Sequence, residues 1–164
     1  MKKLLAFDMD GTLALSKQPL DDEMGALLAD LSDVALVAVI SGGDWPQFEK
    51  QVVSRLPERA NRANIYILPT TGTKMYDWQD GKWTNVYADL FSDEEREKIK
   101  TSLFDAVEEA GYAGEQTWGE QIEDRGSQIT FSALGQEAPL HPKAGQTWAI
   151  AQQAWVGFAS PAKF

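Results

Sequence analysis

The run from Val34 to Ile40 constrains the fold more than any other feature, because every residue in it is apolar. A strand that faces water on one side alternates apolar and polar residues, whereas an unbroken apolar run is typical of a strand covered on both faces, as in a parallel sheet. Ser41-Gly-Gly43 then predicts a turn, and Asp44 predicts the cap of a helix with Pro46 in its first turn. We therefore predict a buried strand, a turn and a helix in succession.

Neighbouring segments of the chain show related patterns. Lys3–Asp8 predicts a buried strand that ends in an acid, Asp21–Leu31 has apolar residues at helical spacing, and Ile65–Leu68 predicts a third buried strand. The helix after Asp44 is expected to run to about Arg55. Strands and helices that alternate with crossovers of this length indicate an α/β fold with a parallel sheet.

The chain after residue 73 has a different pattern. Asp80-Gly81 predicts the turn of a hairpin in which Trp78 and Trp83 pair across the two strands. Ser92 and Glu95 form a capping box, which predicts a helix that ends near residue 110. Two short strands are expected after this helix, at 121–125 and 128–132.

The end of the sequence differs in composition from the rest. No Asp or Glu follows Glu137, although the chain holds 25 such residues. Such a segment is expected to be either a loose terminal helix or a piece foreign to the rest of the chain. The expected organisation is therefore an α/β core at 1–88, a partial α+β cap at 89–137 and an atypical tail at 138–164.

Composition excludes several classes of function. The absence of Cys excludes disulfides, thiolate nucleophiles and Cys-ligated metal sites. The formal net charge of −10 argues against a nucleic-acid partner, because phosphate backbones favour basic surfaces. No apolar run approaches the roughly 20 residues that span a bilayer, and Asp8 and Asp10 interrupt the N-terminal apolar run before it reaches the length of a signal peptide. We therefore expect a cytoplasmic protein without a membrane partner.

Asp8 and Asp10 carry the strongest chemical signal, at the end of the first predicted strand in the sequence Asp-Met-Asp-Gly-Thr-Leu. Two carboxylates this close repel one another, and Mg²⁺ would neutralise them because it binds one or two carboxylates together with substrate phosphate. Ser41, Gly42 and Gly43 follow the neighbouring strand and offer a hydroxyl and two backbone N–H groups to a phosphoryl oxygen. Because ligands bind beyond the carboxyl ends of strands in open α/β sheets, these residues predict a magnesium and phosphate site.

The segment Asp8–Thr12, followed by Ile40–Gly42, resembles the first two motifs of the haloacid-dehalogenase-like (HAD) superfamily, most of whose members are Mg²⁺-dependent phosphatases or phosphotransferases. The resemblance implies that Asp8 is the nucleophile, which forms an aspartyl phosphate, and that Asp10 is the general acid and then the general base. It also implies that Ser41 and Gly42 hold the phosphoryl group. Mg²⁺ would be bound by the Asp8 carboxylate and the Asp10 main-chain carbonyl.

A finer resemblance lies in residues 121–135, which are similar to the cap segment of the eukaryotic-type phosphomannomutases. It implies that Arg125 binds the substrate's non-reacting sugar phosphate. The alternative is that Arg125 is a surface residue paired with Glu123 or Asp124. The sequence departs from that family at Gln136, where a second Arg would stand, and this weakens the mutase interpretation.

The superfamily also requires a Lys and one or two acids on later core strands, and the sequence shows neither in that context. The cap-like segment ends near Gly135, and no acid follows Glu137. The resemblance thus covers about residues 1–136. We hypothesise that the chain is truncated, or has lost its reading frame, relative to a full-length enzyme, so that its sheet is incomplete and its exposed edges favour a homo-oligomer.

The resulting prediction is a HAD-like, Rossmann-type parallel-sheet core with an inserted α+β cap. The predicted function is Mg²⁺-dependent hydrolysis of a small phosphorylated metabolite, a sugar phosphate. Two alternatives are a phosphomannomutase-like phosphotransferase, and a catalytically incomplete fragment or binding module. A phospho-acceptor receiver domain is set aside, because the end of the third strand holds Pro69-Thr-Thr71 instead of an acceptor Asp.

Overall fold

The structure is a computed structural model of the chain, and it describes residues 3–111, 117–138 and 156–159. These residues divide into two units, the first ending at Asp89 and the second beginning at Leu90. The first unit, within those limits, consists of a five-stranded sheet with two α-helices. Its strands are β1 (Leu4–Asp8), β2 (Leu36–Ile40), β3 (Ile65–Leu68), β4 (Lys74–Gln79) and β5 (Lys82–Ala88). Its helices are α1 (Asp22–Val34) and α2 (Trp45–Gln51).

The sheet of the first unit is mixed, with the strand order β1-β2-β3-β4-β5. The first three strands run parallel, and β3, β4 and β5 pair antiparallel in succession. Residues 37–39 of β2 are buried, which confirms the prediction of a strand covered on both faces. The predicted start of this strand is wrong by two residues, because α1 extends through the exposed Val34 and Ala35 caps it.

The first strand differs from its prediction as a buried strand. In the part of the chain that the structure describes, β1 is an edge strand of the sheet, and Leu4 and Leu5 are 59% and 41% exposed. Apolar content indicates a strand but does not say which neighbours lie beside it, since that depends on residues far away in the sequence. The prediction was therefore right about the strand and wrong about its burial.

Both helices of the first unit begin at the residues that the sequence indicates. Asp21 caps α1 by accepting a hydrogen bond from a backbone N–H of the first turn at 2.7 Å, and Asp44 caps α2. The second helix ends at Gln51, and a short 3-10 helix, Val53–Arg55, occupies the rest of its predicted length. The helices cover one apolar core, whose largest buried side chains include Met9, Leu20, Val37, Val39, Phe48, Val52, Ile65 and Ile67.

The hairpin of β4 and β5 forms as predicted. Trp78 lies opposite Trp83, and their ring centroids are 5.5 Å apart in an edge-to-face arrangement. This confirms the predicted cross-strand pair. Trp45 of α2 stacks on Tyr76 of β4 with centroids 4.1 Å apart, so the hairpin also packs against the second helix.

The second unit contains α3 (Asp93–Glu109) and an antiparallel sheet. The predicted capping box is present: Ser92 Oγ accepts the backbone N–H of Glu95, and the Glu95 carboxylate accepts the backbone N–H of Ser92 at 2.8 Å. The strands within the described residues are, in spatial order, β6 (Ile122–Asp124), β7 (Gln128–Phe131) and β8 (Val156–Ala159). The core of this unit contains Leu103, Ile129, Phe131 and Ala133.

The strand β8 corrects one of the two expectations for the tail. Residues 156–159 form a strand paired with β7 and not a terminal helix. The remaining tail residues, 139–155 and 160–164, lie outside the described residues, so the foreign origin of the tail stays a prediction. Within the ranges given above, the α-helices are too short or too polar to cross a bilayer.

Candidate active site

Three parallel strands end at the same edge of the first unit's sheet. Asp8 of β1 pairs in register with Ile40 of β2, and Ile40 pairs with Leu68 of β3. The loops that follow these strands therefore start side by side, although long stretches of sequence separate them. This register brings the predicted site residues of the first two loops to one place.

The first loop presents two carboxylates on either side of a buried anchor. Asp8 is exposed at the end of β1, whereas Met9 is fully buried and Asp10 is half-buried. The carbonyl of Met9 accepts hydrogen bonds from the N–H groups of Leu13 and Ala14 at 3.0 and 3.1 Å. The buried methionine thus fixes the loop, and the carboxylate of Asp8 stays open to solvent.

Both carboxylate oxygens of Asp10 are engaged. Oδ1 accepts the backbone N–H of Lys17 at 2.9 Å, and Oδ2 accepts the hydroxyl of Ser41 at 3.0 Å. The structure therefore joins two residues that the sequence analysis placed in separate motifs. These bonds fix the orientation of the Asp10 side chain relative to the second loop.

The loop Ser41–Gly43 offers a hydroxyl beside open space. Ser41 is only 5% exposed, and its Oγ accepts the backbone N–H of Gly43 at 3.4 Å while it donates to Asp10. A Cβ placed on Gly42 would meet no atom within 4 Å. The absence of a side chain at Gly42 thus leaves room for a ligand to approach the backbone.

The turn Thr70–Gly72 lies along this loop, and its position after the third strand leaves two interpretations from sequence, contact with substrate or a plain turn at Gly72. The N–H of Thr70 donates to the carbonyl of Gly43 at 2.8 Å, and the N–H of Thr71 donates to the carbonyl of Ser41 at 2.9 Å. The hydroxyl of Thr73 also bonds to the carbonyl and hydroxyl oxygens of Thr70, at 2.8 and 2.7 Å. The turn and the loop are therefore held together at two points.

Two residues of this turn have a strained backbone. Thr70 and Thr71 have φ angles of 51° and 57°, in the left-handed region that favours glycine and asparagine. A β-branched residue there is an outlier, and each such residue costs about 1–3 kcal/mol. The hydrogen bonds to Ser41 and Gly43 compensate for this cost. Strain of this kind concentrates at functional sites, where neighbouring structure fixes the conformation.

An ion pair that the sequence did not predict joins Lys74 to Asp44, the residue that follows the loop. Lys74 Nζ is 2.8 and 2.9 Å from the two carboxylate oxygens of Asp44, and the two side chains are 12% and 27% exposed. The sequence predicts Asp44 only as a helix cap, and no local signal connects it with a residue 30 positions later. Burial raises the pKa of the nearby Tyr76 hydroxyl, and the charge of Asp44 raises it further.

The first loop provides ligands that suit Mg²⁺. This ion binds proteins through one or two carboxylates and completes its shell with substrate phosphate and water. The exposed carboxylate of Asp8 is such a ligand, and the main-chain carbonyl of Asp10 is an oxygen donor two residues further along the chain. Across 3–111 and 117–138, no three His, Asp or Glu side chains come together as a metal site.

Arg125 lies in the second unit and forms the ion pair that the sequence offered as its alternative role. Its Nη2 is 2.6 Å from Glu123 Oε2, its Nη1 donates to Gln128 Oε1 at 3.2 Å, and its side chain is 12% exposed. Gln136, where the phosphomannomutase resemblance implies a second Arg, donates to the hydroxyl of Thr130. Substrate binding by Arg125 stays a prediction.

Asp124 is the centre of a separate network in the second unit. It accepts Arg96 Nε at 3.0 Å, Lys100 Nζ at 2.9 Å and the backbone N–H of Gly126 at 2.9 Å. Burial would raise the pKa of Asp124, but these three donors together hold that pKa below its ordinary value. The hydrogen bond to Asp124 is also the main reason that the pKa of Lys100 is raised.

Comparisons with known proteins show what the fold is. No profile of a known protein family matches the sequence. The chain resembles the C-terminal domain of trehalose-6-phosphate phosphatase from C. albicans, with 25% identity and a TM-score of 0.56 over 91% of this chain and 47% of that one. It also resembles an N-terminally truncated IMP-nucleotidase from Plasmodium falciparum, with 13% identity and a TM-score of 0.59 over 93% of this chain and 46% of that one.

A C-terminally truncated form of the same nucleotidase gives a TM-score of 0.56 at 15% identity, over 80% of this chain and 40% of that one. This chain therefore spans less than half the length of these three solved structures. They are HAD-type phosphatases, and the predicted α/β, HAD-like fold is confirmed. These structures support a HAD-like fold and do not specifically support a phosphomannomutase.

Proposed function

We propose that the chain is a Mg²⁺-dependent phosphohydrolase that acts on a small phosphorylated metabolite, a sugar phosphate, through an aspartyl phosphate on Asp8. The observation that best supports this proposal is the hydrogen bond from Ser41 to Asp10, because it joins the two predicted motifs beside the exposed Asp8. The similar solved structures support its coarser form, a phosphatase of phosphorylated metabolites, since they are a trehalose-6-phosphate phosphatase and IMP-nucleotidases.

The proposed reaction has two steps. In the first, a carboxylate oxygen of Asp8 attacks phosphorus, a new P–O bond forms, and the bond from phosphorus to the ester oxygen breaks while Asp10 donates a proton to that oxygen. In the second, Asp10 takes a proton from a water molecule whose oxygen attacks phosphorus, and the bond to Asp8 breaks. Inorganic phosphate leaves, and both carboxyl groups return to their starting protonation.

The observed contacts suit these roles. The N–H of Lys17 and the hydroxyl of Ser41 orient Asp10, so that its carboxyl group needs little reorganisation to exchange a proton with the substrate. The open space at Gly42 is where a phosphoryl oxygen would lie beside the Ser41 hydroxyl. Mg²⁺, held by the Asp8 carboxylate and the Asp10 carbonyl, would neutralise the charge that the nucleophile and the phosphate share.

A phosphomannomutase-like phosphotransferase is the second candidate, and it depends on Arg125. A guanidinium group binds phosphate well because its donors match two phosphate oxygens. Here that group is paired with Glu123, and Gln136 stands where the second Arg would be. Hydrolysis is therefore the function that we favour.

The test is hydrolysis of an aryl phosphate by the full chain, with and without Mg²⁺. We expect turnover that requires Mg²⁺ and that falls by about a thousand-fold or more in Asp8→Asn, because this change removes the nucleophile but keeps the shape of the side chain. Asp33→Asn is the matched control, since Asp33 is an exposed acid of α1, and it should leave the rate unchanged.

Two results would count against the proposal. Equal rates for the wild type and Asp8→Asn would show that the measured hydrolysis does not use Asp8. No turnover in any variant would favour the alternative of a catalytically incomplete fragment or binding module.

A further inference from the structure

The turn Thr70–Gly72 combines strain with a position beside the candidate phosphate loop. Its backbone N–H groups bond to the carbonyls of Ser41 and Gly43. Thr70 and Thr71 both have positive φ angles, where glycine or asparagine would be unstrained. Strained backbone that neighbouring structure holds in place is concentrated at functional sites, which is a reason to look for function at this turn.

The three residues of the turn differ in what they can present to a ligand. Thr70 is completely buried, and its hydroxyl oxygen accepts a hydrogen bond from Thr73. Gly72 is buried and has no side chain. Thr71 is the exposed residue of the turn, and its backbone is one hydrogen bond from Ser41. A side chain from this turn that meets a ligand therefore has to be that of Thr71.

We propose that Thr71 is a second phosphate-binding residue, whose hydroxyl donates a hydrogen bond to the phosphoryl group held at Ser41. This inference rests on the proposed function, because it places a phosphoryl group at that site. The strained turn fixes the threonine, and the Lys74–Asp44 ion pair fixes the chain two residues after the turn. The site then has two hydroxyl groups, one from the loop after β2 and one from the turn after β3.

The test uses the full chain, with inorganic phosphate and Mg²⁺ as the probe and the NMR shifts of the Gly42 and Gly43 amides as the readout. Thr71→Val keeps the branched shape and removes the hydroxyl, and we expect the phosphate affinity to fall at least about ten-fold, because a hydrogen bond to a charged group is lost. Thr71→Ser keeps the hydroxyl, and we expect an affinity within about three-fold of the wild type.

Thr71→Gly separates binding from strain. Glycine adopts the left-handed conformation without strain, so we expect a higher urea midpoint together with the same loss of phosphate affinity. Asp80→Gly is the matched control, because Asp80 also has a positive φ, of 50°, but lies in the hairpin turn. It should raise the midpoint and leave the phosphate affinity unchanged.

The possible results are distinct. If phosphate shifts the Gly42 and Gly43 amides of the wild type and of Thr71→Val with equal affinity, the inference is wrong and the proposed function stands. If phosphate does not shift these amides in the wild type, the proposed function fails, and this inference fails with it. If Thr71→Val does not fold, equal affinities of Thr71→Gly and Thr71→Ser would overturn the inference.

Discussion

The ammonium group of Lys74 lies within 2.9 Å of both carboxylate oxygens of Asp44, and Asp44 also accepts the backbone N–H of Trp45 at the start of α2. The first residue of β4 is thereby tied to the start of the second helix. Because Asp44 directly follows the loop Ser41–Gly43, the ion pair also holds one end of that loop. Both side chains are mostly shielded from water, so the pair is screened less than one on an open surface.

Removing the charge of Lys74 should destabilise the first unit. We expect Lys74→Met to lower the free energy of unfolding by about 1–3 kcal/mol, since it leaves the carboxylate of Asp44 partly buried without its counter-charge. Urea unfolding checks this value. Lys98→Met is the control, because Lys98 pairs with Glu94 on the surface of α3 with both side chains more than 70% exposed, and it should cost less than about 1 kcal/mol. Equal losses in the two variants would contradict the prediction.

Gly25→Ala should destabilise the chain, although alanine is usually the better helix residue. Gly25 lies in α1, and a Cβ built on it would be 2.7 Å from the carbonyl oxygen of Arg55. Because that neighbour is backbone, the helix or the 3-10 segment has to move. We expect a loss of about 1–3 kcal/mol in urea unfolding. A gain in stability would show that α1 and Arg55 are not packed this closely.

Gly42→Ala, unlike Gly25→Ala, should leave the stability unchanged, and it should weaken phosphate binding. A Cβ at this position meets no atom within 4 Å, so we expect the urea midpoint to stay within experimental error of the wild type. The methyl group would, however, occupy the open space in which we propose that a phosphoryl oxygen lies, and phosphate binding should weaken at least about ten-fold because of the steric contact. Titration with inorganic phosphate and Mg²⁺ measures this. An unchanged affinity would place the phosphate elsewhere.

Asp124 should make the second unit sensitive to acid. Its pKa is lowered in the folded state, so the carboxylate stabilises the fold above its unfolded pKa of about 3.9, and this contribution is lost as the pH falls through the lower folded pKa. We expect the difference in unfolding free energy between the wild type and Asp124→Asn to be constant above about pH 5 and to shrink below about pH 4. Urea unfolding at several pH values gives this difference.

The control for that experiment is Asp93→Asn, because Asp93 is exposed and its distance to Arg96 is 3.4 Å. Its effect should be small and should change little over the same pH range. A difference for Asp124→Asn that does not depend on pH between 5 and 3 would show that its donors do not lower its pKa.

The alternation of strands and helices in the first unit could be predicted because its signals are local. Asp21 and Asp44 mark the starts of helices, and unbroken apolar runs mark strands. The exposure of Leu4 and the strand at 156–159 could not be predicted, because each depends on which segment lies beside it in space. The end of α1 at Val34 was missed for a related reason: an apolar residue suits the last turn of a helix and the first position of a strand equally well.

In the candidate site, too, the features with local signals could be predicted, and those that depend on distant residues could not. The motifs around Asp8 and Ser41 could be identified from residue type and spacing, and the parallel register then explains the contact between Asp10 and Ser41. The ion pair of Lys74 and the backbone conformation of Thr71 could not be predicted this way. The partner of Lys74 is distant in sequence, and a threonine gives no local sign that its backbone is left-handed.

Because Asp8 pairs with Ile40, the position of its carboxylate at the candidate site depends on the number of residues in β1. Side chains alternate between the two faces of a strand, so inserting or deleting one residue between Leu4 and Asp8 would exchange the faces and turn either the carboxylate or the core-facing residues the wrong way. A two-residue change would restore the face but displace the acid by about 7 Å along the strand. Single-codon length changes in this segment should therefore be tolerated far less than substitutions that keep its length.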